Sequence, residues 1–182
     1  MTESHSILSL SPDVGEVTGT EPLDATHVQM LHWLEQLGEL VEHLEATGWD
    51  TWSRDRAGAV IHFFSQTGRQ HHAEEERFVF PLLVNRGDAA MDAHVERLLQ
   101  DHGWLEENWL ELLSQLRPVA EGFGGYEVDL LRHASNVYEA LLKEHIELEE
   151  TLVYPAARAT AALHREGLRH RRDATAGAQS SS

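Results

Sequence analysis

Apolar residues recur every three or four positions through most of the chain, in four long segments that short turn-forming stretches separate. This spacing places them on one face of a helix, and no segment shows the two-residue alternation of a strand. The predicted helices run from near Pro22 to Gly48, from about Ser53 to Val84, from near Asp88 to about Pro118, and from about Glu127 into the 160s. Four amphipathic helices joined by short links predict an all-α, up-down-up-down four-helix bundle.

Each predicted helix has an apolar stripe that should face the bundle interior. On the fourth helix the stripe consists of Leu131, Tyr138, Leu141, Leu142, His145, Leu152 and Ala156. The ends of the chain lack such periodicity and are rich in small polar residues. The sequence therefore predicts a flexible amino-terminal arm over residues 1–20, the bundle over residues 21–166, and a disordered tail over residues 167–182.

Two eleven-residue stretches, HHAEEERFVFP in the second helix and HIELEETLVYP in the fourth, match each other without a gap. In each stretch a glutamate follows the first histidine by four residues, so that His71 and Glu75 correspond to His145 and Glu149. Proline lacks an amide hydrogen and interrupts the helical ladder. A kink or a helix end is therefore expected at the proline that closes each copy, Pro81 and Pro155.

The repeat extends to the first and third helices. His27 lies 75 residues before His102, and His71 lies 74 residues before His145. The apolar residues that follow His27 at three, seven and ten positions recur after His102. Helices 1 and 2 therefore correspond to helices 3 and 4, which predicts two halves related by pseudo-two-fold symmetry.

The repeated residues carry metal-binding chemistry. Four positions along a helix correspond to a rotation of about 400°, so the histidine and the glutamate of each copy project from the same face. That face points inward, where an unpaired carboxylate is costly and a cation is its natural partner. The predicted metal ligands are His27, His71, Glu75, His102, His145 and Glu149.

The pseudo-symmetry predicts a dinuclear site. Each half can supply two histidines to one ion, and the two glutamates can bridge both ions. Imidazole and carboxylate ligands without sulfur suit iron, with manganese or zinc as alternatives. Two histidines and two bridging oxygens leave each ion short of six ligands, and the open position is where a small diatomic molecule or a peroxide would bind.

Composition excludes several other classes of function. The formal charge is -17, from 31 acidic and 14 basic residues, which disfavours binding to nucleic acid. The absence of cysteine excludes disulfides, thiolate zinc sites and iron-sulfur clusters. No apolar run approaches the ~18 residues of a membrane-spanning helix, and no secretory signal is visible. A cytoplasmic protein without membrane contact is expected.

The His and Glu residues of both halves, with the FVFP and LVYP endings, resemble the hemerythrin-like HHE cation-binding family over roughly residues 22–165. The resemblance implies a four-helix bundle around a non-haem di-iron centre with an oxo or hydroxo bridge. Such centres carry oxygen, sense oxygen, nitric oxide or iron, or handle iron, so a small diatomic such as O₂ or NO is the implied partner. A di-iron oxidase or peroxidase is the alternative, although the chain has no motif of an organic-substrate pocket.

Two residues depart from the pattern of the oxygen carriers in that family. The carriers have a second histidine four residues after the ligand of the third helix, where this chain has Glu106 after His102. They also have an aspartate five residues after the fourth-helix histidine, where this chain has Glu149 at four. Both departures argue against reversible oxygen carriage, and Glu106 or His72 is expected to replace the missing histidine.

Other histidines and glutamates have simpler interpretations. Surface positions or ordinary packing are expected for His5, His32, His43, His62, His94, His133, His164 and His170. A solvated acidic face is expected for Glu74, Glu76, Glu147 and Glu150, unless one of them hydrogen-bonds a ligand imidazole from outside.

Overall fold

A computed structural model of the chain describes residues 20–123 and 125–179, the last eight of them by their backbone alone. Within this part the chain forms four bundle helices and no strand, which confirms the predicted all-α architecture. Bundle helix 1 is α1, Glu21–Ala46. Bundle helix 2 comprises α2 (Thr51–Phe63), a π-helical turn (Phe64–Gly68), α3 (Arg69–Glu74), a second π-helical turn (Glu75–Val79) and a 3₁₀ turn (Phe80–Leu82). Bundle helix 3 is α4, Ala89–Glu121. Bundle helix 4 comprises α5 (Val128–Leu148), a π-helical turn (Glu149–Val153) and α6 (Tyr154–Gln179).

Consecutive bundle helices pack against each other, and the first also packs against the fourth, which closes the bundle. Side chains at the turns fix the helix ends. Asp50 accepts a hydrogen bond from the Ser53 amide at 2.8 Å at the start of α2, and Asp88 caps α4. Gly122 ends α4 with a φ of +75°, a left-handed conformation that glycine adopts without strain. Within the described residues, no helix combines the length and hydropathy needed to cross a membrane.

Two apolar clusters fill the bundle, one toward each end, and a polar layer lies between them. On α1 the order is Leu23, which belongs to one cluster, then buried His27, then Met30, which belongs to the other. On α4 the same order recurs around buried His102. The larger cluster is centred on aromatic and leucine side chains such as Trp109 and Leu142. The predicted histidines therefore lie in the interior, with dry packing on both sides.

The two sequence copies adopt the same backbone deviation. A π-helical turn starts at Glu75 and another at Glu149, each just before its proline. A π turn inserts one extra residue into the helix and thereby accommodates the ladder bond that the proline cannot make. Bundle helix 2 ends at Leu82 soon after its proline, whereas bundle helix 4 continues.

The extra residue of each π turn shifts the buried face by one position. Leu152 was expected on the buried stripe but is 43 % exposed, and Ala156 is only partly buried. Val153 and Ala157 are buried in their place. The stripe predicted after His145 was wrong because it assumed an uninterrupted α-helical period.

Two predicted boundaries also differ from the structure. Bundle helix 3 continues past Pro118 to Glu121, because a proline disturbs the turn before it and leaves the following residues free to remain helical. Bundle helix 4 continues to Gln179, although a disordered tail was predicted from residue 167. The predicted arm over residues 1–20 lies outside the described residues, apart from Thr20.

Candidate metal centre

The six predicted ligands meet in the polar layer between the two apolar clusters. Bundle helix 1 contributes His27, and bundle helix 2 contributes His71 and Glu75. Bundle helix 3 contributes His102, and bundle helix 4 contributes His145 and Glu149. All six are buried, with at most 7 % of any one exposed. They are His27, His71, Glu75, His102, His145 and Glu149.

Each glutamate lies between histidines of both halves. One oxygen of Glu149 is 3.2 Å from Nε2 of His27, and the other is 3.3 Å from Nε2 of His145. One oxygen of Glu75 is 3.4 Å from Nε2 of His71, and the other is 3.5 Å from Nε2 of His102. Each carboxylate thus offers one oxygen to each half of the chain, an arrangement that suits a ligand bridging two ions.

The potential ligand atoms form two overlapping groups, and within each group all atoms lie within 4.8 Å of one another. The first cluster consists of His27, His71, Glu75 and Glu149. The second cluster consists of His72, Glu75, His102 and His145. The first cluster contains the two predicted histidines of the first half, and the second contains the two of the second half together with His72. None of the other described histidines belongs to either cluster.

His72 and Glu106 were the two candidates for an additional ligand. His72 belongs to the second cluster, where its ring stacks on His102 at 4.2 Å between centroids. Glu106 instead pairs with Arg69, and both side chains are more than 40 % exposed. The structure therefore brings His72 into the centre and leaves Glu106 outside it, because Arg69 offers that carboxylate a partner in solvent.

Two of the glutamates assigned to a solvated acidic face contact the buried histidines from outside. Oε1 of Glu150 is 3.1 Å from Nδ1 of His27, and Oε1 of Glu76 is 2.8 Å from Nδ1 of His102. Each contact crosses from one half of the chain to the other. A carboxylate that holds Nδ1 directs Nε2 inward, toward the place where an ion would bind.

Asp101 is a further acidic residue of the centre that the sequence did not reveal. Its Oδ2 lies 3.9 Å from Nδ1 of His145, and the residue is 9 % exposed. The equivalent position in the other half is Thr26, so Asp101 is absent from the repeat that identified the other ligands. His71 is the histidine of the other half that corresponds to His145, and its Nδ1 has no hydrogen-bond partner among the described residues.

Tyr154 also lies at the centre, a role that the sequence did not predict. Its hydroxyl donates a hydrogen bond of 2.5 Å to Oε1 of Glu75 and lies 3.3 Å from Nε2 of His27. Its ring stacks on His27 at 5.2 Å. The equivalent residue in the other half is Phe80, which stacks on His102 at 5.7 Å. The aromatic position is thus shared by both halves, but only one half carries a hydroxyl.

The two buried carboxylates, Glu75 and Glu149, differ in pKa because of their burial and their contacts. Burial and the charge of Glu149 raise the pKa of Glu75 to about 7. Burial would also raise the pKa of Glu149, but its close contacts with His145 and His27 hold it well below its ordinary range. Without a cation, therefore, one carboxylate is ionised and the other is close to half-protonated at neutral pH.

The buried histidines also differ in pKa. Burial disfavours the charged form of His145, but Asp101 and Glu149 outweigh it and raise its pKa to about 9. Burial is likewise outweighed at His27, whose pKa is raised mainly by Glu149. Burial together with the charge of His27 lowers the pKa of His71 to about 3.

The unpaired polar atoms show that these side chains fit a cation. In the described part of the chain, eleven buried side-chain nitrogen and oxygen atoms lack a hydrogen-bond partner, and nine of them belong to the two clusters. Leaving such atoms unpaired is costly. They are imidazole nitrogens and carboxylate oxygens, which are donors for first-row transition metals. Cations in the two clusters would satisfy seven of the nine, because His71 and His145 each give an ion only one of their two ring nitrogens.

Comparison with known proteins agrees with this geometry. The family model of the hemerythrin HHE cation binding domain matches residues 18–173. Neither a curated protein nor a solved structure matches the chain significantly. The matched segment contains both halves of the repeat and every residue of the two clusters.

Proposed function

Because the chain belongs to the hemerythrin HHE cation-binding family, we propose that it holds two iron ions and uses them to bind or sense a diatomic ligand such as O₂ or NO, or to handle iron. The observation that carries this proposal is the pair of overlapping clusters, with one oxygen of each bridging glutamate toward each half. A single ion would leave most of the second cluster without a partner.

The proposed ligand sets follow the clusters. His27 and His71 hold one ion, and His72, His102 and His145 hold the other. Glu75, which belongs to both clusters, and Glu149, whose second oxygen faces His145, would hold both ions and neutralise part of their charge. Manganese and zinc are the competing metals for these imidazole and carboxylate ligands, and the chain offers no cysteine sulfur that would favour zinc.

The residues around the proposed centre favour the binding of a small, uncharged ligand. When bound, the two ions supply the redox change and the open coordination position that a diatomic needs. Glu76 and Glu150 orient the histidines, and the apolar clusters on both sides exclude bulk water. We further propose a cytoplasmic protein that acts on O₂, NO or peroxide and has no nucleic-acid or membrane partner.

Metal analysis tests this proposal. Protein from iron-supplied cells should contain about two irons per chain by elemental analysis, as two clusters require. The variant Glu75→Gln/Glu149→Gln should contain little iron, because both bridging charges are lost. The matched control Glu74→Gln/Glu147→Gln removes the same charge from neighbouring positions outside the clusters and should keep both irons. Less than half an equivalent of any transition metal in the wild-type protein would refute the proposal.

The optical spectrum of the ferrous protein tests the type of ligand. Spectra should be recorded without oxygen, after addition of O₂ or NO, and again after the gas is removed under vacuum. Reversible bands support binding or sensing, and irreversible oxidation supports iron handling. A spectrum unchanged by either gas in protein with two irons would contradict the diatomic ligand.

Metal affinity should fall as the pH is lowered. An ion must displace the proton of His145, whose pKa is about 9, and that of Glu75, whose pKa is about 7. From pH 9 to pH 7 the apparent iron(II) affinity should therefore drop at least roughly tenfold per pH unit, since His27 also has a raised pKa, and below pH 7 more steeply as the proton of Glu75 competes. Competition titrations with a chelator of known affinity, at one-unit intervals from pH 9 to pH 6, measure this slope. An affinity independent of pH would mean that the ion is held by other groups.

A further inference from the structure

The hydroxyl of Tyr154 lies against two donor atoms of the first cluster. It donates to Oε1 of Glu75, the oxygen that faces His71, and it is 3.3 Å from Nε2 of His27. Nδ1 of His27 is held by Glu150, so Nε2 is the nitrogen left for an ion. The phenol oxygen is therefore next to the atoms that would surround the first ion, and the residue is fully buried.

The internal repeat shows that packing alone does not require this hydroxyl. Phe80 occupies the equivalent position and makes the equivalent stacking contact with His102. Both residues belong to the same apolar cluster. A phenylalanine thus satisfies this environment, and burying a hydroxyl is costly unless it has a partner. The polar partners of the Tyr154 hydroxyl are metal-facing atoms, which points to a role at the ion.

We propose that the Tyr154 oxygen is a further ligand of the ion in the first cluster. The inference rests on the proposed metal centre and adds a ligand to it. The bond forms when ferricyanide oxidises the bound iron(II) to iron(III): the phenol O–H bond then breaks and its proton leaves to solvent.

This ligand makes the two ions chemically different. The first cluster then offers two imidazole nitrogens, oxygens of two carboxylates and a phenolate oxygen, whereas the second offers three imidazole nitrogens and an oxygen of one carboxylate, that of Glu75. Anionic oxygen ligands favour the ferric over the ferrous state. The first ion is therefore the one that is stabilised as iron(III).

A phenolate bound to iron(III) gives a visible charge-transfer band and enhanced phenolate ring modes in resonance Raman spectra. The full chain should be loaded anaerobically with iron(II), oxidised with ferricyanide, and examined by both methods. We expect the band and the ring modes in the wild-type protein and their complete loss in Tyr154→Phe. Because the phenol is a supplementary ligand, iron content in this variant should stay above one per chain.

The other two tyrosines of the chain supply the matched controls. Tyr138 is buried in the larger apolar cluster, beside Phe64 and Trp109. The double variant Tyr126→Phe/Tyr138→Phe leaves Tyr154 as the sole phenol and should keep the full band. This variant tests whether Tyr154 is the source of the phenolate signal, even if Tyr154→Phe folds poorly.

The outcomes separate this inference from the proposed function. Two irons per chain without a phenolate signal, or a signal that survives in Tyr154→Phe, overturn the inference alone. Loss of the signal in Tyr126→Phe/Tyr138→Phe overturns it as well, because the phenolate would then come from another tyrosine. A wild-type protein that binds no iron overturns the proposed function and this ligand together.

Discussion

Removal of the metal is expected to lower the melting temperature by roughly 8–16 °C for each ion that is lost. An ion present at about 1,000 times its dissociation constant stabilises the native state by about 4 kcal/mol. For a chain of this size, each kcal/mol corresponds to a shift of about 2–4 °C. Calorimetry before and after dialysis against a chelator, and again after iron is restored, measures the change.

The bundle should remain folded without the ions. The two apolar clusters lie on either side of the polar layer and include side chains from all four bundle helices. Removal of the ions leaves unpaired nitrogens and oxygens in that layer and does not disturb the packing beyond it. Far-ultraviolet circular dichroism of the chelated protein should therefore show nearly the same helix content at low temperature.

The variant Glu75→Gln/Glu149→Gln is the control for this effect. It retains the bundle but lacks the bridging charges, so its melting temperature should not respond to the chelator. Equal melting temperatures of the wild-type protein with and without metal would show that the ions are bound weakly or outside the fold.

The fold could be predicted because helical periodicity is a local signal. The apolar residues that follow His27 and His102 at three, seven and ten positions are buried as predicted, because both helices keep an uninterrupted α-helical period there. The stripe after His145 was wrong beyond Glu149, where the π turn adds one residue and buries Val153 in place of Leu152. A proline six residues after a buried glutamate indicates a deviation from the α-helix, but the position of that deviation depends on how the two halves pack.

The metal centre could be predicted where its residues recur at equivalent positions in the two halves. His27 and His102 were identified because they occupy equivalent positions in the two halves. Asp101 and the hydroxyl of Tyr154 break that equivalence, and the sequence offered no signal for either of them.

The position of Glu106 could not be decided from sequence for a different reason. Four residues after His102, it has the spacing of a ligand on the same helix face. Its actual partner, Arg69, is on another bundle helix, 37 residues away in the chain. Contacts between distant residues compete with local spacing, and a single sequence does not reveal which contact forms.

Replacement of His71 by leucine should stabilise the metal-free protein while it lowers metal content. Burial and the charge of His27 lower the pKa of His71 to about 3, so the imidazole is neutral at pH 7. Both of its ring nitrogens are buried without a hydrogen-bond partner. Leucine is similar in size and removes those unpaired atoms, which should raise the free energy of unfolding by about 1–3 kcal/mol. Urea unfolding of chelator-treated protein measures the gain, and elemental analysis measures the loss of iron.

The equivalent histidine of the other half provides the opposite expectation. Nε2 of His145 lies 3.3 Å from Glu149, and Asp101 faces its other nitrogen. His145→Leu leaves buried Glu149 without one of its cationic partners, so the metal-free protein should lose about 3 kcal/mol. Both variants should bind less iron, but their effects on the metal-free protein should have opposite signs. If His71→Leu instead destabilises the metal-free protein as much as His145→Leu does and keeps its iron, then His71 is a packing residue and its unpaired nitrogens do not mark a metal site.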